Sequence, residues 1–230
     1  MTARNSATKR PRVIGVIASR ADLGRAVRMC NPPDLFELRL DRLAGIVDQL
    51  ENKLPMLRAP LIVTARHPQE GGAKNLSLRQ RRDLLTRFLS HADYVDVELR
   101  SASALRSLLA LAKQKKVRRI LSFHNFKSTP PPRILVVKAR MAKAFGANIF
   151  KVATRTDTPV QLARLLDFIA KKDVDLSVSA MGIGKLGAIS RVLLARAGSA
   201  LVYASLTAAT DIEGQLSLDQ LRSLGIASRY

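Results

Sequence analysis

A closed (β/α)8 barrel of the TIM type, in a single domain, is the fold this sequence predicts. Three observations predict it. Eight short apolar runs recur along the chain, each about as long as a buried strand. Stretches with helical apolar spacing separate them, and strand–helix alternation implies parallel strands joined by helical crossovers. No proline-rich linker or shift in composition divides the 230 residues, a length that eight such units fill. An open, doubly wound sheet is the competing arrangement of the same elements.

Taken in order, the chain begins with a polar, basic stretch, Met1 to Arg12, expected to be a disordered tail in front of a barrel spanning residues 13–230. The apolar run after it is too short for the core of a signal peptide. That run, Val13-Ser19, is the first strand; Leu35-Asp41 is the second and Pro60-Arg66 the third. Leu78, Leu84, Leu85, Phe88 and Leu89 then form a helical stripe. The fourth strand, Tyr94-Leu99, precedes a helix with Leu105, Leu108, Leu109 and Leu111 at its apolar positions. Arg119-Phe126 and Ile149-Arg155 are the fifth and sixth strands. Pro159, suited to a first helical turn, opens a helix from Val160 to Ala170. Leu176-Met181 is followed by a helix over residues 187–197, and Ala200-Leu206 by a last helix over 218–224.

Hydrophobic residues make up 47% of the chain, enough for one substantial core. No apolar run approaches the roughly 20 residues of a membrane helix. Cys30 is the only cysteine, which excludes an internal disulfide and a cysteine-cluster metal site and makes a reducing cytoplasm the expected compartment. Lys and Arg number 39 against 18 Asp and Glu, a formal net charge of +21. Such a balance attracts anions. The basic clusters Arg79-Gln80-Arg81-Arg82 and Lys113-Gln114-Lys115-Lys116 lie in stretches with helical spacing, as solvated faces do, and read as dispersed. Trp is absent and aromatics are 4%, so platforms for stacking single-stranded bases are scarce. Nucleic acid is expected to bind non-specifically at most.

A barrel concentrates its chemistry at the C-terminal edge of its strands. Those ends carry Glu37, Arg39, Arg66, Glu98, His124, Lys151 and Met181-Gly182, a strongly polar set. Lys151 lies in Ile149-Phe150-Lys151-Val152-Ala153-Thr154-Arg155, where burial would strip its ammonium of hydration and favour the neutral amine. A neutral amine attacks a ketone or aldehyde to give a Schiff base. An ion-paired structural lysine is the other reading of the same stretch. His124 ends an apolar strand, whereas His67 and His91 look like surface residues. Beside a Schiff-base lysine, His124 has the titration range of a proton shuttle. Three histidines so scattered do not make a metal triad. Gly182-Ile183-Gly184-Lys185-Leu186-Gly187 matches the dinucleotide fingerprint, but too little chain follows it for a nucleotide-binding half. It reads instead as a turn that, with Arg191, presents donors to a substrate carboxylate or phosphate. Glu70-Gly71-Gly72 reads either as a mobile loop over the mouth, with Glu70 near its base, or as an ordinary surface turn.

Several short motifs, each at a strand end, follow one another in a recognisable order. They are Glu37-Leu38-Arg39-Leu40-Asp41, Thr64-Ala65-Arg66 with Glu70-Gly71-Gly72, Asp96-Val97-Glu98-Leu99, and Ser122-Phe123-His124-Asn125-Phe126. Phe150-Lys151-Val152-Ala153, Ser179-Ala180-Met181-Gly182 with Ser190-Arg191, and Gly214-Gln215 complete the series. Together, from about Val13 to Leu224, they resemble the type I 3-dehydroquinate dehydratases. The resemblance implies a hydro-lyase on a (β/α)8 barrel that dehydrates 3-dehydroquinate to 3-dehydroshikimate in the shikimate pathway of aromatic amino-acid biosynthesis. It implies no metal or organic cofactor, and a homodimer. Lys151 would form an imine with the C3 ketone, His124 would remove the C2 proton, and Glu70 would orient and polarise His124. Glu37, Arg39 and Arg66 would bind ring hydroxyls, and Arg191 and Gln215 the carboxylate side. Another Schiff-base barrel, of the class I aldolase type, would share Lys151 and the fold. A catalytically weakened homologue holding polyanions would share the fold and the charge.

The last loop departs from the pattern. Where the family usually reads Ser-x-Pro-Gly-Gln, or Thr for Ser, this chain reads Thr210-Asp211-Ile212-Glu213-Gly214-Gln215. Glu213 replaces the proline and the loop gains a residue. A carboxylate at Asp211 about 4 Å from a substrate carboxylate would repel it by about 4 kcal/mol at an effective dielectric near 20. Thr210 is therefore expected to face the substrate, with Asp211 and Glu213 turned outward to basic neighbours. Asn125 stands where Asp is common after the histidine.

Overall fold

The structure, a computed structural model, describes residues 10–171, 174–207 and 212–226. Eight parallel strands form a nearly closed barrel: β1 (Arg12–Ile17), β2 (Leu35–Arg39), β3 (Leu61–Thr64), β4 (Tyr94–Glu98), β5 (Arg118–Asn125), β6 (Ile149–Arg155), β7 (Ser177–Ile183) and β8 (Leu201–Ser205). Each strand from β2 to β7 pairs with its predecessor, and β8 pairs with β1. At the seam between β7 and β8, the Ala200 N–H donates to the Val178 carbonyl at 2.8 Å and the Ser179 hydroxyl to the Leu201 carbonyl at 3.0 Å. All eight apolar runs become strands, in a barrel rather than an open doubly wound sheet. The first strand begins at Arg12, and Arg10 pairs with Asp34 at 2.7 Å, so the last residues of the expected tail already belong to the fold. Residues 1–9 lie outside the described residues.

The helices are α1 (Arg20–Val27), α2 (Leu40–Leu43), α3 (Val47–Lys53), α4 (Leu78–Phe88), α5 (Arg106–Gln114), α6 (Pro132–Ala144), α7 (Pro159–Lys171), α8 (Gly187–Arg196) and α9 (Leu218–Ser223). Side chains at the ends set several of their starts. Ser77 with Gln80, and Ser217 with Gln220, form capping boxes on α4 and α9. Four helices escaped the sequence pattern. The β-branched run in α6, with Ile134, Val136 and Val137, resembles a strand, and its buried face is mostly small: Leu135, Ala139 and Ala142. The second strand ends at Arg39, two residues before its expected end, and the chain turns into α2 at Leu40. The helices α1 and α3 are short, with few buried residues each.

Two apolar layers result. Outward-facing strand residues such as Phe36, Leu38, Val63, Val97, Leu121 and Phe150 pack under helix residues that include Leu85, Phe88, Leu135, Leu165 and Leu194. Full burial of each such large side chain contributes roughly 1.5–3 kcal/mol. Inside the barrel, Ile14, Leu35, Ile62, Tyr94, Ile120, Ile149 and Leu201 pack in a second apolar cluster. The strand register sets polar residues side by side: Thr64 beside Asp96, Glu98 beside Ser122, and Ser122 beside Lys151.

Candidate active site

Lys151 is 3% exposed, inside the barrel. Its amino nitrogen lies 3.0 Å from Asp96 Oδ2 and 3.5 Å from Glu37 Oε1, and 3.9 Å from the centroid of the Tyr203 ring. The apolar surroundings suggested by the strand sequence are therefore incomplete. Neighbouring strands bring two carboxylates and an aromatic face to the amine, partners for a positive charge at this nitrogen.

Asp96 gathers the site around it. It accepts from both terminal nitrogens of Arg66, at 2.7 and 3.2 Å, and from the Ser122 hydroxyl at 2.6 Å. Burial alone would push its carboxyl up; Arg66 and Lys151 outweigh burial and hold it well below the usual carboxylate range. Arg66 also reaches Glu98 at 3.1 Å, and Arg81 holds the other oxygen of Glu98 at 2.7 Å. Arg81, read from sequence as part of a solvated basic face, is 2% exposed. It lies one turn before the buried Leu85, on the inward side of α4.

Glu70 ends a short turn, Pro68–Glu70, that follows β3. One of its oxygens lies 3.0 Å from the His124 backbone nitrogen and 3.0 Å from the ring Nδ1. Burial pushes the Glu70 carboxyl up to about 7, helped by the nearby Glu98 charge. Burial, with Arg66 and Lys151 close by, holds the His124 imidazole well below its ordinary value, so it is neutral at pH 7. The glycines after Glu70 lie where the backbone packs closely. The Gly72 N–H donates to the His67 carbonyl at 3.0 Å, and a Cβ on Gly72 would clash with the Arg66 carbonyl oxygen. Arg39 donates to the Gly71 carbonyl at 3.0 Å and pairs with Asp41 through two bonds, at 3.0 and 2.9 Å.

Arg191, on α8, is 3% exposed and donates to the carbonyls of Gly214 at 3.0 Å and Tyr203 at 3.2 Å. No carboxylate pairs with it among the described residues, and burial pulls its guanidinium down to about 10. A buried cation so placed favours an incoming anion. The glycine-rich turn before α8 packs against the last loop. The Gly184 N–H donates to the Glu213 carbonyl at 3.1 Å, and a Cβ on Gly187 would come within 2.9 Å of Gly214 Cα. This packing brings Ile212 and Gln215 to the mouth. Glu213 turns to Arg155, at 3.0 Å. Thr210 and Asp211 lie outside the described residues.

Glu37, Arg39, Arg66, Glu70, His124, Lys151, Arg191 and Gln215 all line one cavity of about 180 Å³, with Phe126, Met181, Ile183 and Tyr203 as its apolar walls. Every expected site residue that is described thus meets in one place. Asp96, Ser122 and Tyr203 were not assigned from sequence. Asp96 had a signal, the Asp96-Val97-Glu98 alternation that turns both acids to one face of a strand. Among the described residues no group of three or more His, Cys, Asp or Glu is arranged to hold a metal ion, and no helix is long and apolar enough to cross a membrane.

Comparison with known proteins agrees with this fold. Residues 14–225 match the family model described as type I 3-dehydroquinase. A 3-dehydroquinate dehydratase from Pyrococcus abyssi is 35% identical over 193 residues, covering 82% of this chain and 85% of that protein. One from Shouchella clausii is 32% identical over 212 residues, covering 86% and 82%. Among solved structures, the type I 3-dehydroquinate dehydratase of Clostridium difficile superposes with a TM-score of 0.83 at 25% identity, over 94% of this chain and 91% of that one. The Aquifex aeolicus 3-dehydroquinate dehydratase gives 0.79 at 27%, over 95% and 99%. With nearly all of its barrel matched, the chain belongs to the type I 3-dehydroquinase family.

Proposed function

We propose that the protein dehydrates 3-dehydroquinate to 3-dehydroshikimate through an imine on Lys151, in the shikimate pathway. One observation carries this reading: an amine flanked by Asp96 and Glu37, a neutral imidazole tied to Glu70, and a buried cation, Arg191, that pairs with no carboxylate among the described residues line the same small cavity. Lys151, as the free amine, adds to the C3 ketone, and uptake of one proton expels its oxygen as water to leave an iminium; the proton is returned when the imine is later hydrolysed. The resulting iminium draws electrons from C2, and His124 takes the C2 proton to leave an enamine. The enamine expels the C1 hydroxyl, which leaves as water with the proton from His124. A second water then hydrolyses the new iminium and frees Lys151, so one water is lost overall. Asp96 and Glu37 stabilise the cationic imine, in a site where such electrostatic contacts are strong. Glu70 orients His124. Glu37, Arg39 and Arg66 contact ring hydroxyls, and Arg191, Gln215 and Thr210 the carboxylate side. The role of Thr210 rests on the sequence resemblance alone.

The test is borohydride reduction in the presence of substrate, followed by peptide mass mapping. A reduced adduct on Lys151 is expected, absent in Lys151→Ala. His124→Ala should still form the adduct, slowly, with little turnover. Dehydration that continues with Lys151 unmodified would overturn the mechanism. Retro-aldol products in place of an enone absorbance would point to an aldolase-type reaction. The homodimer that the resemblance implies is tested by sedimentation.

A further inference from the structure

We infer that the face built by α5, the turn from it into β5, and the C-terminal part of α6 is a docking surface for double-stranded nucleic acid. The basic residues that read as dispersed along the chain are in fact segregated from the acids. Leu99 to Thr156 holds fourteen Lys and Arg and no Asp or Glu; Lys143, Lys151 and Arg155 pair with carboxylates from outside the stretch, and among the described residues the remaining basic residues do not. Because β4, β5 and β6 are consecutive neighbours, this stretch folds into one sector of the barrel.

Arg106, Lys113, Lys115, Lys116 and Arg140 are exposed there, and none pairs with a carboxylate among the described residues. Elsewhere on the surface several exposed arginines are neutralised, Arg25 by Asp219 at 2.8 Å and Arg87 by Asp48 and Glu51 at 2.6 and 2.7 Å, while Arg28 and Arg58 stand apart from one another in the chain rather than in a cluster. Unpaired cations at this density repel one another, and a regular polyanion relieves that repulsion while releasing its own counterions. A groove of about 460 Å³ runs between α5 and α6, floored by Leu109, Ala110, Ala144 and Phe145 and flanked by Arg106 and Arg119. The Arg119 Nε is buried without a hydrogen-bond partner among the described residues. Phe145 is the groove's one aromatic, and Arg106 already covers it at 6.0 Å. Single-stranded bases therefore find no stacking ladder, and a duplex backbone fits better. Phosphate contacts of this kind carry no sequence preference. Lys115 and Lys116 precede the first residues of β5, at the end of the barrel away from the His124 end, so the mouth stays open to substrate.

The experiment is fluorescence anisotropy with a labelled random-sequence DNA duplex, titrated between about 50 and 200 mM salt. Two fourfold variants are compared with the wild type. One carries Lys113→Gln, Lys115→Gln, Lys116→Gln and Arg140→Gln. The other, with the same loss of net charge, carries Arg28→Gln, Lys53→Gln, Arg58→Gln and Lys185→Gln. Thermal melting confirms that both are folded. The sector variant should bind about tenfold or more weakly, with a log–log salt slope shallower by roughly 3 to 4 units. The control variant should stay close to the wild type. Equal losses in the two variants, or wild-type binding absent even at about 50 mM salt, would overturn the inference. So would displacement of the duplex by free inorganic phosphate, which would mark a small-anion site instead.

Discussion

A single carboxylate oxygen of Glu70 engages His124 twice, lying 3.0 Å from its backbone nitrogen and 3.0 Å from its ring Nδ1. Nδ1 is thereby occupied, and Nε2 is the nitrogen left for proton transfer. With Glu70 ionised, Nδ1 carries the proton and Nε2 keeps its lone pair. Adding a proton to the pair removes the basic form. Since burial pushes the Glu70 carboxyl up to about 7, turnover should fall as pH drops through that value. In Glu70→Gln the plateau rate should fall by roughly 10- to 100-fold and the limb near neutrality should vanish. A pH–rate profile checks this, and an unchanged limb in the variant would assign it to another group.

The same carboxyl ties stability to pH. An unfolded glutamate titrates at about 4.3, whereas the folded Glu70 does so at about 7. The folded state thus binds the extra proton, and the stabilisation is complete below about pH 4 and lost as pH rises through about 7. Glu70→Gln has no carboxyl to ionise there. Its Tm relative to the wild type should therefore be higher at about pH 8 than at about pH 5. Identical differences at the two pH values would contradict a buried, perturbed Glu70.

Asp96→Asn should be the most damaging conservative change in the site. It leaves the buried Lys151 and Arg66 facing each other without the charge between them. Breaking a buried pair in this way costs about 3–5 kcal/mol. Glu37→Gln should cost less, because its contacts to Lys151 and Arg66 are longer, at 3.5 and 3.6 Å. Urea unfolding of the two variants gives the ranking directly.

Tyr203 supplies a ring under Lys151 and a hydroxyl that is buried with no hydrogen-bond partner among the described residues. The two can be separated. Tyr203→Phe keeps the ring and removes the orphaned hydroxyl, so stability should rise by ~1 kcal/mol with turnover nearly unchanged. Tyr203→Leu removes the ring as well, and a desolvated cation–π contact is worth ~2 kcal/mol, so borohydride trapping should slow by over tenfold. Equal trapping rates in the two variants would show that the ring serves only as packing.

The sequence by itself determined the strands, their order and the ends that carry chemistry. Runs such as Ile149–Arg155 are short, apolar and bounded, and a strand's period of two then fixes which side chains share a face. Glu37, His124 and Lys151 could be placed at the mouth on that basis. Local patterns failed where tertiary packing overrides propensity, as in α6, whose β-branched run becomes a helix over a small-residue face. Only the tertiary structure decided the charge environment. That Asp96 lies under Lys151, that Arg66 holds Asp96 and Glu98 together, and that Arg81 turns inward from a basic helix all depend on register and closure. These partners are 17 to 55 residues apart in the chain. Electrostatic energy depends on distances of a few ångströms in space, and no local pattern of residues encodes such a distance.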